Sequence, residues 1–213
     1  MRAPALRAGG KPPGAAGPTR FAAVVAAVDP AALGTLLERR RQELAESDGV
    51  FARAAEVAEV YARWFDAHGV TCPLPGQIAG ARRKGLPAIG PAVDTLLYAE
   101  LTTGVLMGVQ DADTIDGDLL FDRAEQGETF EGFRTTVTCA QDEPVVRDGT
   151  AIVASVIQGP DRRTSVTKAS RHLVFTVYDA PGLAAADFDG GVHLLSELLT
   201  ASGAVPEVLE VRL

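Results

Sequence analysis

One segment of the chain concentrates reactive polarity. Residues 158–171, QGPDRRTSVTKASR, carry four hydroxyls (Thr164, Ser165, Thr167, Ser170) and four cations (Arg162, Arg163, Lys168, Arg171) in a chain of formal net charge -8. Guanidiniums and hydroxyls together can hold a phosphate, a ribose or an amino-acid carboxyl. The same residues also make a polar hairpin loop with capping hydroxyls. Composition leaves both readings open.

The rest of the chain lacks the common catalytic signatures. It has no GxSxG elbow, no phosphate-binding Walker loop and no HExxH. His68, His172 and His193 are widely separated and read as structural or solvated. Asp111, Asp113, Asp116 and Asp118 surround Gly117, but the terminal glutamate of a calcium-binding EF-hand is missing, so a solvated turn cluster is expected. Cys72 and Cys139 do not form a CxxC pair, which argues against zinc and for two reduced thiols. No metal and no cofactor are expected.

The elements that would position these groups follow from local patterns. Residues 20–28 are a short apolar run closed by Asp29-Pro30, the mark of a buried strand. Residues 30–46 and 50–68 show helical apolar spacing, and Gly69 stands where a terminating glycine belongs. Arg39, Arg40 and Arg41 read as a solvated helix face or, alternatively, a phosphate contact. Two prolines break the pattern over 70–77. A short helix bearing Arg82, Arg83 and Lys84 follows, and Pro91 opens another over 91–103. From Gly104 the texture changes to strand-like runs at 105–109, 118–122, 133–138, 150–157 and 172–178. A helix over 189–202 and a strand over 205–213 close the chain. Helices ahead of strands predict an α+β fold rather than a doubly wound sheet.

The 213 residues suit one large domain over 20–213, preceded by a flexible Gly/Pro/Ala arm over 1–19 that contains no acidic residue. The negative charge speaks against broad binding of DNA or RNA, though not against a grip on a short single-stranded end. No apolar run is long enough to span a membrane, and a cytoplasmic location is expected. Nothing in the sequence sets the oligomeric state.

Residues 93–130 contain Val93-Asp94, Gly104, the Asp111 to Ile115 turn, Arg123-Ala124 and Gly127-Glu128-Thr129. In order and spacing this stretch resembles the editing module, the B3/B4 domain, of the phenylalanyl-tRNA synthetase beta subunit. Gly69-Val70, Gly85 to Pro87, and Arg163, Thr164, Thr167 and Ser170 are similar to features of stand-alone proteins built from that module. The resemblance covers roughly 20–213. It implies a B3/B4-like mixed sheet with packed helices. It also implies hydrolysis of a wrongly esterified aminoacyl-tRNA by a positioned water, assisted by the substrate's own ribose hydroxyl. No protein nucleophile would then be needed, and catalysis would rest on positioning and dipoles.

Gly108, Ser155, Gly159, Arg163, Thr164, Thr167, Ser170 and Thr176 are the substrate-binding residues so implied, with backbone amides near Gly159 polarising the ester. Gly108 stands where the synthetase has histidine, and Thr176 where it has the glutamate that reads a tyrosine hydroxyl, which implies an altered specificity. The expected partner is the acceptor end of an aminoacyl-tRNA or an aminoacyl small molecule. The alternatives are a non-catalytic module binding a tRNA end, an amino acid or a protein, and an aminoacyl-tRNA-dependent biosynthetic protein.

Overall fold

The computed structural model describes residues 4–9, 17–45 and 48–212. The chain begins with strands β1 (Leu6–Ala8) and β2 (Arg20–Ala27), then helices α1 (Pro30–Ala45), α2 (Asp48–Ala67), α3 (Leu74–Lys84) and α4 (Pro91–Thr103). Strands β3 (Met107–Asp111), β4 (Leu119–Arg123), β5 (Thr129–Glu131), β6 (Thr136–Thr138), β7 (Pro144–Arg147), β8 (Ile152–Ser155), β9 (Gly159–Pro160) and β10 (His172–Tyr178) follow. Helix α5 (Ala185–Ala201) and strand β11 (Glu207–Arg212) end it. The fold is α+β, with the helices concentrated in the N-terminal half and the strands in the C-terminal half.

The strands divide into two main sheets. One has the order β11-β2-β10-β3, the other β1-β4-β7-β8-β9, and β5 pairs with β6 apart from both. β2 is buried from Phe21 to Ala26, on both faces. This explains its unbroken apolar run, since a strand covered on two sides has no polar face to show. α5 packs on β2 and β10. Phe21 stacks on Phe121 of β4 with ring centroids 4.8 Å apart, which joins the two sheets. No helix among the described residues is long and apolar enough to cross a membrane.

Local signals account for the element ends. Pro91 occupies the first turn of α4, and Gly104 ends it with φ 75° and an N–H that donates to the Glu100 carbonyl at 2.8 Å. A Cβ at Gly104 would sit 2.1 Å from the Ala54 carbonyl oxygen, so α2 and α4 meet through that glycine. α3 begins at Leu74, inside the stretch that its two prolines mark as broken. Pro75 falls in the first turn, where its missing N–H forfeits no intrahelical bond. The arginines of α1 are partly structural: Arg40 bonds Glu197 of α5 at 2.6 Å, and Arg41 pairs with Asp94 of α4 at 2.6 Å.

Within the segment read as a flexible arm, Leu6–Ala8 form an edge strand parallel to β4, and the Gly9 N–H donates to the Phe121 carbonyl at 2.7 Å. The open edge of β4 offers unpaired backbone groups, which three extended residues satisfy. Residues 1–3 and 10–16 of that segment lie outside the described residues. Strands β5, β7 and β9 carry no clear sequence signal, being two to four residues long. The run expected at 133–138 is a strand only from Thr136, because Gly132 to Thr135 make the turn of the β5–β6 hairpin.

One buried acid makes stability depend on pH. Glu100 on α4 is 6% exposed, and its Oε1 accepts the Met107 N–H at 3.0 Å. Burial raises this carboxyl to about 7, the Met107 amide offsetting part of the rise. The folded chain thus holds the proton more tightly than the unfolded chain does. The sign follows: stability is highest while the group is protonated in both states and falls as pH rises through about 7. Glu100→Gln keeps an acceptor for Met107 and removes the buried charge. In urea melts this variant is expected to gain stability at pH 8, up to about 3 kcal/mol, and little at pH 5. A variant less stable at pH 8 would show that the carboxylate has a compensating partner.

Candidate functional site

Alternation along two paired strands builds one wall of the site. β3 and β10 run antiparallel, with Gly108 opposite Thr176 and Gln110 opposite Val174. Residues opposite one another share a face, and every second residue returns to it. Gly108, Gln110, Thr176 and Tyr178 therefore face the same way. A cavity of about 160 Å³ opens over Gly108, Gln110 and Tyr178. Its other walls are the β8–β9 turn from Ser155 to Pro160, Phe65 of α2, and Pro73 just ahead of α3. The described residues that line it include no aspartate, glutamate, lysine, arginine or histidine.

The wall is polar but neutral. The Thr176 hydroxyl donates to the Tyr178 hydroxyl at 2.8 Å, and both residues are buried. Burial pushes the Tyr178 hydroxyl up to about 12, with Thr176 and the nearby Gln110 amide pulling back. Tyr178 is thus a neutral phenol near pH 7. The Gln110 side chain lies close enough to Tyr178 to favour its ionised form, yet neither its Nε2 nor its Oε1 makes a hydrogen bond of ordinary geometry. Gln110 is 1% exposed. An unpaired amide at such depth costs about 1–3 kcal/mol, so this side chain is a marked exception to the pairing of buried polar groups.

The β8–β9 turn is braced from within. The Ser155 hydroxyl donates to the Glu143 carboxylate and accepts the N–H groups of Ile157 at 3.2 Å and Gln158 at 3.0 Å. Gln158 Nε2 donates to both Glu143 oxygens, at 3.2 and 3.0 Å. The proton and the lone pairs of Ser155 are therefore all committed, which suits a brace and not a nucleophile. The amides of Ile157 and Gln158 bond to that hydroxyl, so these two are not free to polarise an ester as expected for amides near Gly159. Gly159 itself has φ 98°, a left-handed geometry that favours glycine in so tight a turn.

The eight residues nominated from sequence separate into three groups. Gly108, Ser155 and Gly159 line the cavity. Thr176 lies beside Gly108 and holds Tyr178 in place. The other four belong to the 158–171 loop and are not among the cavity-lining residues: Arg163, Thr164 and Ser170 bond to protein carboxylates, and Thr167 bonds to Ser170. Arg163 Nη2 donates to Asp148 at 2.8 Å and Nη1 to the Thr114 carbonyl at 3.1 Å. Burial would raise the Asp148 carboxyl, but N–H groups of Asp116, Ala151 and Thr150, and then Arg163, more than offset it and hold it below its ordinary value. The Thr164 N–H donates to Asp161 at 3.0 Å, and Thr164 is fully buried. Thr167 donates its N–H to the Ser170 hydroxyl at 2.9 Å, and Ser170 in turn donates to Asp111. Asp111 also donates its N–H to the Thr164 carbonyl at 2.8 Å. The loop thus clamps the end of β3 at the residue next to Gln110.

Sequence reasoning missed Gln110, Tyr178 and Phe65 in the cavity wall. A signal existed for the first two: they stand two residues beyond Gly108 and Thr176, on the same face. The four aspartates of the 111–118 turn go to partners within the protein. Asp111 accepts the Asp113 N–H at 3.1 Å, and Asp113 meets His172 Nδ1 at 2.9 Å. Asp116 accepts from Thr150 Oγ1 at 2.7 Å, and Asp118 from the Ala5 N–H at 3.2 Å. Both cysteines are buried and free. α3 leads away from the cavity, from Pro73 at its start to the exposed Arg82, Arg83 and Lys84 in its last turn. Arg82 and Arg83 also line a second groove, of about 470 Å³, between α2 and α3.

Gly108 is held to glycine by space. A Cβ there would lie 2.7 Å from Thr176 Oγ1 and 3.1 Å from the Tyr178 hydroxyl. Gly108→Ala is expected to lower stability by about 1–3 kcal/mol in chemical denaturation. Adding Thr176→Ala to it should recover part of that loss, giving a double-mutant cycle with a clear coupling. Strictly additive effects would mean that the two residues do not compete for room.

Comparison with known proteins bears on the same region. The family model of the B3/4 domain matches residues 73–184, more than half of the chain and every cavity-lining residue except Phe65. No curated protein matches. Among solved structures, the chain is similar to the crystal structure of an N-terminal fragment of the phenylalanyl-tRNA synthetase beta subunit from Pyrococcus horikoshii. That likeness has a TM-score of 0.47 and 16% identity, and covers 57% of this chain and 45% of the other. The present chain thus matches less than half the length of that fragment. On the family match over residues 73–184, this chain belongs to the B3/4 domain family.

Proposed function

We propose that this protein receives the aminoacyl end of a tRNA in the cavity between β3, β10 and the β8–β9 turn and hydrolyses its ester in trans, as a deacylase of mischarged or unusual aminoacyl-tRNA in the cytoplasm. The observation that carries the reading is the cavity, which falls within the matched B3/4 region and has the volume of a side chain. At about 160 Å³ it compares with engineered cavities of ~150 Å³ that take up benzene. With no charged residue among the described residues that line it, the site offers no carboxylate, histidine or lysine as a general base there. Ester hydrolysis here would rely on a held water and the vicinal ribose hydroxyl of the substrate, with the protein supplying position.

The division of labour among the nominated residues follows. Gly108, Ser155 and Gly159 shape the cavity, and Thr176 orients Tyr178. Arg163, Thr164, Thr167 and Ser170 act at one remove, by fixing the end of β3. The eleven residues of α3 span about 16 Å from the cavity to Arg82, Arg83 and Lys84. That spacing suits phosphates a few nucleotides back along an acceptor strand, and it lets an acidic protein grip a short stretch of RNA. The Arg82→Ala/Arg83→Ala double variant is expected to weaken tRNA binding and to reduce the salt dependence by about one to two released counterions. An unchanged salt slope in filter binding would remove α3 from the RNA path.

The same neutral lining also favours a second reading, a module that binds an aminoacyl end without turnover. Turnover separates the two. Substoichiometric protein is incubated with tRNAs charged with cognate and non-cognate amino acids, and the release of amino acid is followed. The deacylase reading expects many turnovers on a subset of these tRNAs, and at least about a tenfold loss of rate in Gly108→Ala. Protection of charged tRNA without turnover would establish the binding module instead.

A further inference from the structure

The Gln110 carboxamide carries an inference that rests on the aminoacyl reading of the cavity and sharpens it. Gln110 lines the cavity and is 1% exposed, and neither of its polar atoms makes a hydrogen bond of ordinary geometry. Ser155 and Gln158 are tied to Glu143, and the Tyr178 hydroxyl accepts from Thr176 and meets the Gln110 amide only outside ordinary hydrogen-bond geometry. The clamp at Asp111 fixes the strand on which Gln110 stands. This side chain therefore stands on a fixed strand at the cavity wall, desolvated, with hydrogen-bonding capacity left over for an occupant.

We infer that Gln110 determines specificity, and that the acyl group it selects ends in a carboxamide, as asparaginyl and glutaminyl groups do. A primary amide presents a donor and an acceptor side by side, and either orientation of the Gln110 amide leaves one of each. The complementary ligand must offer an acceptor and a donor at the same spacing in one plane. A second carboxamide does so through two parallel hydrogen bonds. A lone hydroxyl, whether aliphatic or phenolic, is one atom and meets one of the two partners well. A carboxylate offers no donor and would enter as an unpaired charge, because no cationic side chain among the described residues lines the cavity. The edge of adenine also pairs with glutamine, but its two fused rings exceed a cavity suited to one ring or one side chain. A purely apolar side chain leaves both amide atoms buried and unsatisfied, which a site of this kind rejects strongly.

The test uses non-hydrolysable probes, so that it reads recognition apart from turnover. Adenosine derivatives bearing L-glutaminyl, L-asparaginyl, L-leucyl or L-tyrosyl groups in amide linkage at the 3′ position are titrated into the full chain by calorimetry. One or both carboxamide probes should bind at least about tenfold more tightly than the leucyl and tyrosyl probes. In Gln110→Leu that preference should vanish while leucyl binding stays within about twofold, with a thermal melt confirming the fold. Gln110→Met serves as a second variant of similar length. A leucyl or tyrosyl probe that binds wild-type protein as well as the carboxamide probes overturns the inference and leaves the aminoacyl reading standing. A carboxamide preference that survives in both variants also overturns it. Failure of all four probes to bind overturns both readings.

Discussion

Strand β10 sits between β2 and β3, and from Leu173 to Tyr178 it is buried on both faces. Each of its backbone N–H and C=O groups must pair with a neighbouring strand or remain unsatisfied in the core at about 1–3 kcal/mol each. β2 and β3 satisfy them from either side, in registers without interruption. Those registers decide which side chains look into the cavity. A slip of one residue in β3 would turn Gln110 away and bring Val109 to the cavity wall, because the side-chain period of a strand is two. The other layers are fastened to the same strand. The fully buried Tyr61 of α2 donates its hydroxyl to the Tyr178 carbonyl at 2.6 Å, and Phe21, opposite Tyr178 on β2, stacks on the second sheet.

Among the described residues, charge lies around the cavity and not in its lining. Arg163, whose composition suggests a ligand contact, is tied to the buried Asp148 and to Asp161, where it holds the loop against the end of β3. Glu143 lies behind Ser155 and Gln158, with its carboxylate satisfied by both. A site walled by neutral groups selects by shape and by the balance of donors and acceptors, since these are the terms that remain when ion pairing is absent. In the hydrolysis proposed for it, most of the chemistry of the ester would fall to the substrate. A neutral pocket whose walls are braced by their own hydrogen bonds suits the holding of a reacting group in one geometry, and the proposed hydrolysis would rely on that.

How much of this was legible in sequence depended on range. The strand over 20–28, the helix over 91–103 and the strand over 172–178 could be read because their signals are local: an apolar run before Asp29-Pro30, a proline in a first helical turn, a β-branched stretch. Membership in an α+β class followed from their order. The start of α3 was obscured by Pro75, whose effect depends on where in the helix it falls. Strands β5, β7 and β9 are too short to show a period. They exist because neighbours pair with them.

The site divides in the same way. The sequence by itself determined which residue types were available: a glycine at 108, a serine at 155, a glycine at 159, and a loop rich in cations and hydroxyls. Tertiary structure alone decided their use. It supplied Asp148, Asp161 and Asp111 as partners for the loop, converting a conspicuous cluster into a clamp. It set β3 beside β10, which brought Gln110 and Tyr178, far apart in the chain, onto one face of one cavity. The physical reason is that composition and periodicity record what a residue can bond to. Whether that bond is already made inside the protein depends on strand register and on partners distant in sequence.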